Sequence, residues 1–405
     1  MTSSTIAAGG AASGTAAPLL PRRRLTFHPL AVAAINRLTS DAVEVVFAVP
    51  DDLAAEFAYL PGQHVAVRLQ RGGREIRRSY SLCAPAGGGE LHIAVKVEPG
   101  GIFSTFANSE LAVGDLVDVM TPQGSFTVTV DPAAGMHVAA VAAGSGITPI
   151  MALAASVLSG SPRTTFTLVY SSRTAEQVMF VDELADLKDR FLGRLAVHHV
   201  LTREQRLSPV HSGRLSPERL DVLFDRLLPP ATVDEWFLCG PVDLVTELRQ
   251  QLTARSTDPA RIHVELFTTG ALRRDVLPAP DAGPAAGDVI ADHAAVPDRG
   301  SVAGHGAIPD LKAGEAAVTM TLTGQTATVR CGNGERILDA ALRVRADTPF
   351  SCTGGVCGTC RAKLVSGTVD MDVNYALEPD EIEAGYILTC QAVCTSDAVE
   401  VDYDA

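Results

Sequence analysis

The chain has 405 residues, 46% of them hydrophobic and 20% charged, with a formal net charge of −14. That length predicts two to three domains, and the composition excludes a mainly disordered chain. The acidic balance argues against nucleic acid and anionic membrane as partners, and no apolar run approaches the roughly 20 residues a membrane-spanning helix needs.

Residues 1–22 are rich in Ala, Gly, Ser and Thr and are expected to form a disordered tail. Arg22, Arg23 and Arg24 follow an uncharged stretch, the reverse of a secretory signal. A twin-arginine signal competes with this reading, but residues 25–35 also read as a first strand, and a cytoplasmic protein is expected. Residues 23–133 alternate short runs with turn residues. Strand candidates at 43–47, 63–69, 90–97, 116–119 and 125–128 suggest an antiparallel barrel.

The texture changes at residues 134–270. Residues 136–143 are almost unbroken apolar, as in a strand buried on both faces. Helices at 148–158, 175–190 and 241–252 alternate with strands at 165–170, 195–201, 235–239 and 262–267. This alternation predicts a parallel, doubly wound α/β sheet. Residues 271–313 contain no Phe, Tyr or Trp and have the composition of a linker. Its length permits the last unit to dock and undock. Residues 314–405 form that unit, with strands at 317–322 and 325–329 around Thr323-Gly324 and a helix at 337–342, an α+β pattern.

Five of the eight cysteines lie in this last unit beyond residue 350. Cys352, Cys357 and Cys360 are spaced C-x4-C-x2-C, and Cys390 follows after 29 residues. An iron–sulfur cluster takes four thiolates, and this is the plant-type [2Fe–2S] spacing. Three thiolates from one tight loop must converge while small residues let the backbone come close. Zinc favours two short cysteine pairs, and only one is present. Cys394 is the alternative fourth ligand, although an inert thiol suits it better; Cys83 and Cys331 read as packing residues. The segment from Phe350 to Arg361 resembles a plant-type ferredoxin loop, and Gly385-Tyr386-Ile387-Leu388-Thr389-Cys390-Gln391 resembles the segment carrying that family's fourth ligand. The resemblance implies a β-grasp domain.

Arg78-Ser79-Tyr80-Ser81 offers a planar cation for a phosphate, a ring to stack on an isoalloxazine and a hydroxyl for the flavin nitrogen that accepts hydride. Gly100-Gly101-Ile102-Phe103-Ser104 offers backbone N–H groups to a pyrophosphate ahead of a helix. Gly144-Ser145-Gly146-Ile147-Thr148-Pro149 repeats that logic after the apolar strand. Cys239-Gly240-Pro241 does so once more. These four segments resemble the ferredoxin–NADP reductase superfamily. The resemblance implies that Arg78, Ser79, Tyr80, Ser81, Gly100, Gly101, Phe103 and Ser104 hold the flavin. A two-phosphate loop favours FAD over FMN. Gly144, Gly146, Ile147, Thr148, Pro149, Gly240 and Pro241 would hold the nicotinamide nucleotide. Cys239 and Glu265 would lie by the reacting rings, with Ser81 shaping the hydride step. Phe267 ends the last strand, as a site residue or a core-edge residue.

A reader of the 2′-hydroxyl would carry an acidic residue at a strand end. This chain instead has Arg173 at one strand end, then Thr202-Arg203, then Ser212-Gly213-Arg214; the last two resemble the family's 2′-phosphate set, with Thr202 in place of its serine, so NADPH is expected over NADH. Glu204 dilutes that positive field. The domain order, together with Val369-Asp370-Met371 and Asn374-Tyr375-Ala376-Leu377-Glu378, resembles the reductase subunits of phenylacetyl-CoA epoxidases. The implied function is electron transfer from NADPH to FAD to [2Fe–2S] to an oxygenase. Reductases of other aromatic-ring or alkane oxygenases, an electron-relay subunit of a dehydrogenase, and a zinc-stapled interaction protein are the competing readings. An acidic group just before the fourth ligand (Glu378, Asp380, Glu381, Glu383) is expected to face the partner.

Overall fold

The computed structural model describes residues 4–7, 25–267, 311, 314–377 and 379–405. The first strand, β1 (Ser4–Ala7), falls inside the expected tail; it pairs antiparallel with residues 368–371, from Ser4 opposite Met371 to Ala7 opposite Thr368. Of the linker, all but Leu311 lies outside the described residues.

The first domain is an antiparallel sheet of β2 (Phe27–Thr39), β3 (Ala42–Ala48), β4 (His64–Arg71), β5 (Arg74–Ser81), β6 (Glu90–Lys96) and β7 (Leu116–Met120). Its order is β5-β4-β7-β2-β3-β6, and a bridge between Leu82 and Ile93 joins the two ends as a barrel requires. Helix α1 (Ile102–Ser109) covers one mouth and buries Phe103 and Ala107. The Arg78–Ser81 motif closes strand β5 itself. The expected strand at 125–128 does not form: Phe126 leaves the sheet to pack edge-on against Phe237, with ring centroids 5.0 Å apart.

The second domain alternates β8 (His137–Ala143), α2 (Ile147–Gly160), β9 (Thr165–Ser172), α3 (Val181–Arg190), β10 (Leu195–Leu201), α4 (Pro217–Arg226), β11 (Glu235–Gly240), α5 (Val242–Ala254) and β12 (Ile262–Leu266). All strand pairs are parallel, in the order β10-β9-β8-β11-β12. The long helix expected over 175–190 is broken. Its first turn is a separate short helix, and Phe180 takes a left-handed backbone (φ 59°) so that Met179 and Phe180 enter the core. Helix α4 is not among the expected helices, although Pro217 in its first turn and the helical spacing of Leu220, Leu223 and Phe224 signal it. Among the described residues no helix is long and apolar enough to cross a membrane.

The third domain has a five-stranded sheet in the order β14-β13-β19-β15-β17, packed on helix α6 (Ile337–Leu342). The strands are β13 (Ala316–Leu322), β14 (Gln325–Cys331), β15 (Arg361–Ser366), β17 (Tyr386–Leu388) and β19 (Ala398–Asp402). A smaller sheet, β1-β16-β18, adds β16 (Thr368–Met371) and β18 (Ala392–Cys394). Helix α7 (Pro379–Glu383) precedes β17. Thr323 and Gly324 both take positive φ, the two-residue hairpin turn the sequence predicts, and the Asp404 carboxylate accepts both of their N–H groups.

Candidate active site

Strand β5 is in reach of all three domains. On β5 the Arg78 guanidinium donates to the Arg77 carbonyl at 2.7 Å. The Tyr80 ring lies 5.5 Å from Phe103 at the start of α1. The Ser79 hydroxyl instead meets Ser351 Oγ in the third domain at 2.8 Å, so toward a flavin Ser79 offers its backbone. At the end of the strand, Ser81 Oγ donates to Glu265 Oε2 on β12 at 2.8 Å.

Glu265 gathers the three residues expected at the hydride step. In the parallel register Cys239 stands opposite Glu265, and its Sγ lies 4.0 Å from Oε2. Burial pushes the Cys239 thiol well above its usual range, and the Glu265 carboxylate adds to that. The thiol is therefore neutral: it can pack against a ring and donate a weak hydrogen bond, and it is no thiolate nucleophile. A fourth residue, His64, was not read from the sequence; its Nδ1 lies 3.7 Å from Glu265 Oε1. His64 is buried and its Nε2 has no hydrogen-bond partner among the described residues. An orphaned donor in such a place suits a bound ring with acceptor atoms. One histidine at a strand start carries no signal of that in the sequence alone.

The two glycine loops each lead into a helix start. Gly101 caps α1, and Ser104 is turned inward: its hydroxyl donates to the Gly101 carbonyl and accepts the Glu98 N–H. Ser104 and Phe103 therefore shape this loop from within, and the Gly101 N–H donates to the Glu98 carbonyl at 2.8 Å. Gly144 takes φ 57° with open space where a Cβ would stand, as a phosphate cradle needs. Gly146 comes so close to β11 that a Cβ would sit 2.4 Å from the Cys239 carbonyl oxygen. The Thr148 hydroxyl donates to the Ser145 carbonyl, and Tyr170 Oη donates to that of Gly144. Ile147 and Pro149 are buried in the first turn of α2, while Gly240 and Pro241 lead into α5. Phe267 packs half-buried on the second domain's core and donates its N–H to the Gly240 carbonyl.

Arg173, Arg203 and Arg214 are all exposed at the carboxyl ends of β9 and β10 and the loop beyond. Main-chain bonds from Thr202 to Ser172 and from Arg203 to Arg173, each 2.8 Å, hold the first two turns together. A bridge from Leu201 to Ser212 brings up Arg214. The Glu204 carboxylate is engaged by the Ala175 N–H at 2.7 Å.

The four expected cluster thiols fall into two pairs. Cys352 lies beside Cys357, and Cys360 beside Cys390. Two pairs of thiols suit two irons. The Gly354 N–H points to Cys352 Sγ at 3.4 Å, and Thr359 Oγ1 lies 3.0 Å from Cys357 Sγ. Gln391 ties Cys390 to the loop by donating to the Thr353 carbonyl. Asn374 braces the loop from behind: its Oδ1 accepts the N–H groups of Ala376 and Leu377, and the Tyr375 N–H donates to the Gly355 carbonyl. Cys394 lies beside Cys331, whose thiol donates to the Glu335 carbonyl at 3.5 Å, away from these pairs. Of the acidic group before Cys390, Glu381 is paired with Arg361, Asp380 and Glu383 are exposed, and Glu378 lies outside the described residues.

The loop of cysteines faces the first domain. Gln123 Nε2 donates to Thr359 Oγ1 at 2.9 Å, and Gln123 is itself bonded through its backbone to His64. The path from Glu265 to the cluster loop thus runs through one histidine and its neighbour.

Comparison with known proteins agrees domain by domain. Residues 29–128 match the oxidoreductase FAD-binding domain, residues 140–250 the oxidoreductase NAD-binding domain, and residues 320–395 the 2Fe-2S iron-sulfur cluster binding domain. The chain is 36% identical over 390 residues to a component of the 1,2-phenylacetyl-CoA epoxidase of Escherichia coli strain K12, spanning 94% of this chain and 98% of that one. It is 34% identical over 381 residues to the ferredoxin reductase component of 3-ketosteroid-9-alpha-monooxygenase from Mycolicibacterium smegmatis, spanning 93% and 96%. The structure of phthalate dioxygenase reductase shares the fold, at a TM-score of 0.51 and 22% identity over 93% of this chain and 98% of that one. The chain belongs to the family of modular oxygenase reductases, NAD(P)H-dependent oxidoreductases that carry FAD and a [2Fe–2S] cluster on one polypeptide.

Proposed function

We propose that this chain is the NADPH-dependent electron donor of a multicomponent oxygenase, and that its partner is phenylacetyl-CoA epoxidase. The observation that carries the reading is the position of strand β5, which meets Glu265 of the nucleotide domain at Ser81 and the cluster loop at Ser79. When bound, FAD takes a hydride from the nicotinamide and releases electrons singly to the cluster, with the protein setting distance and potential. Ser81 and Glu265 fix one another, and the neutral Cys239 thiol fills the space beside them. Arg78 and Tyr80 orient the flavin, the 144–149 loop receives the nucleotide diphosphate, and Cys352, Cys357, Cys360 and Cys390 hold the cluster. Preference for NADPH is supported by three exposed arginines at strand ends whose acidic neighbour, Glu204, is already engaged. The partner is supported by the match to the Escherichia coli epoxidase component. The ketosteroid monooxygenase match favours a second reading, service to another oxygenase.

Anaerobic titration by visible spectroscopy tests the electron path. NADPH is expected to bleach flavin and then cluster bands at lower concentration than NADH; a flavin untouched by either nucleotide overturns the reading. Partner choice is tested by NADPH oxidation with the epoxidase's oxygenase component, which should rise when phenylacetyl-CoA is added. Stimulation only by a different oxygenase overturns that part.

A further inference from the structure

We infer that Arg77 is a positioning residue for the second electron transfer, clamping the chain that leads into the cluster cysteines against the flavin-carrying strand. The inference rests on the electron path proposed above. Side chains alternate across a strand, so Arg77 and Ser79 share one face of β5 while Arg78 and Tyr80 share the other. The residues assigned to the flavin and those that meet the third domain are thus back to back on four consecutive positions.

Arg77 is only 5% exposed, unusual for an arginine. Its Nε donates to Glu75 Oε1 at 2.6 Å, which supplies the countercharge within the first domain. The rest of the guanidinium is directed at the third domain. Its carbon lies 4.1 Å from the centre of the Phe350 ring and 5.1 Å from that of Phe27, with the cation held between a ring of each domain. Nη1 and Nη2 approach the carbonyls of Thr348 and Ala346, both at 3.4 Å. Phe350 stands two residues before Cys352, and Ser351 between them is the partner of Ser79. One planar cation therefore touches three consecutive features of the approach to the cluster loop.

The chemistry suits a contact that forms and releases. A buried guanidinium without partners is costly. Glu75 keeps Arg77 paired when the third domain leaves, and water replaces the ring and the two carbonyls. The fork and flat face of arginine are needed for this combination; a lysine ammonium is a point charge on a flexible stem. A strap of this kind sets how often the cluster stands against the flavin, and it touches neither hydride donor nor acceptor.

The test uses the full-length holoprotein and the variants Arg77→Ala and Arg77→Lys. Two readouts are taken. The first is amide hydrogen exchange over residues 346–351 in the oxidised protein without nucleotide, which involves no electron transfer. The second is anaerobic stopped-flow, which resolves bleaching of the flavin from reduction of the cluster. Exchange over 346–351 should rise in both variants. Cluster reduction should slow roughly tenfold in Arg77→Ala, the scale expected when a buried arginine is a hot spot of an interface. Arg77→Lys should recover only part of it, and flavin bleaching by NADPH should keep its rate in both. Unchanged exchange in both variants overturns the inference. So does cluster reduction slowed only in proportion to flavin bleaching, which would make Arg77 part of the first step. If NADPH fails to bleach the flavin of the unsubstituted protein, the function reading falls, and the exchange measurement still decides the clamp.

Discussion

The two domain contacts of the flavin domain are built differently. Toward the nucleotide domain the contact is a shared core: Ala42, Cys83, Ala94 and Phe126 of the first domain are buried in one apolar cluster with Val138, Ile147, Leu153 and Phe237 of the second. Burying each large apolar side chain is worth about 1.5–3 kcal/mol. Toward the third domain the contact is a handful of polar side chains and one cation between two rings, with Val356 and Tyr375 half-buried against the second domain. The first contact serves a hydride transfer, which tolerates little error in placement. The second serves single electrons, and in the proposed function the same domain must also meet the oxygenase. A welded joint and a releasable one follow from those two demands.

The comparison makes the two steps separable by substitution. The largest expected effect is that of Cys390→Ser, which removes the proposed fourth ligand, a thiol that stands outside the loop. Cluster absorbance and iron content should be lost and electron delivery to an acceptor protein abolished, while NADPH still bleaches the flavin. Simultaneous loss of bleaching would mean that the joints are not independent. Glu265→Gln acts on the other side. It keeps the shape but weakens the hold on Ser81 and His64, so flavin bleaching should slow by about tenfold to a hundredfold, the scale of a small misplacement at a reacting centre. The later step, measured from a chemically pre-reduced flavin, should be unchanged. A smaller change is expected from Arg203→Ala and Arg214→Ala. Each should raise the KM for NADPH about tenfold, the low end for a charge-assisted hydrogen bond lost at an exposed site, and leave that for NADH alone. Equal effects on both nucleotides would assign these arginines to the shared diphosphate.

What the sequence makes legible follows the same division. The cluster ligands can be proposed because three of them lie within nine residues and the spacing is itself the chemistry. The nucleotide domain was readable because each loop follows its own strand. Ser81, Cys239 and Glu265 could be proposed singly, but their meeting depends on the register of β11 and β12 and on a shared core between domains. His64 and Arg77 were invisible. Arg77 is distinguished from Arg78 only by which face of the strand it occupies, and its partners lie 269 and 271 residues away. The missing strand at 125–128 has the same origin, since Phe126 is apolar for the sake of the second domain and not of its own sheet.

The smallest effect concerns the thiols outside the four expected cluster ligands. Cys83 and Cys239 are buried, and burial pushes both well above the usual thiol range. Cys394 is half-exposed, and its interaction with the neighbouring Cys331 holds its pKa below the ordinary value. Reactivity follows thiolate character and access, so brief alkylation of the native holoprotein with iodoacetamide should label Cys394 ahead of those two cysteines, as read by peptide mass. Because Cys394 pairs with Cys331 and stands apart from the two ligand pairs, the label should leave the visible spectrum of the cluster and both electron-transfer rates unchanged. Bleaching of the cluster in step with labelling of Cys394 would instead make Cys394 the fourth ligand in place of Cys390. It would also move the releasable joint, because the thiolate that closes the site would then sit at the end of β18, next to the strand pair that includes β1.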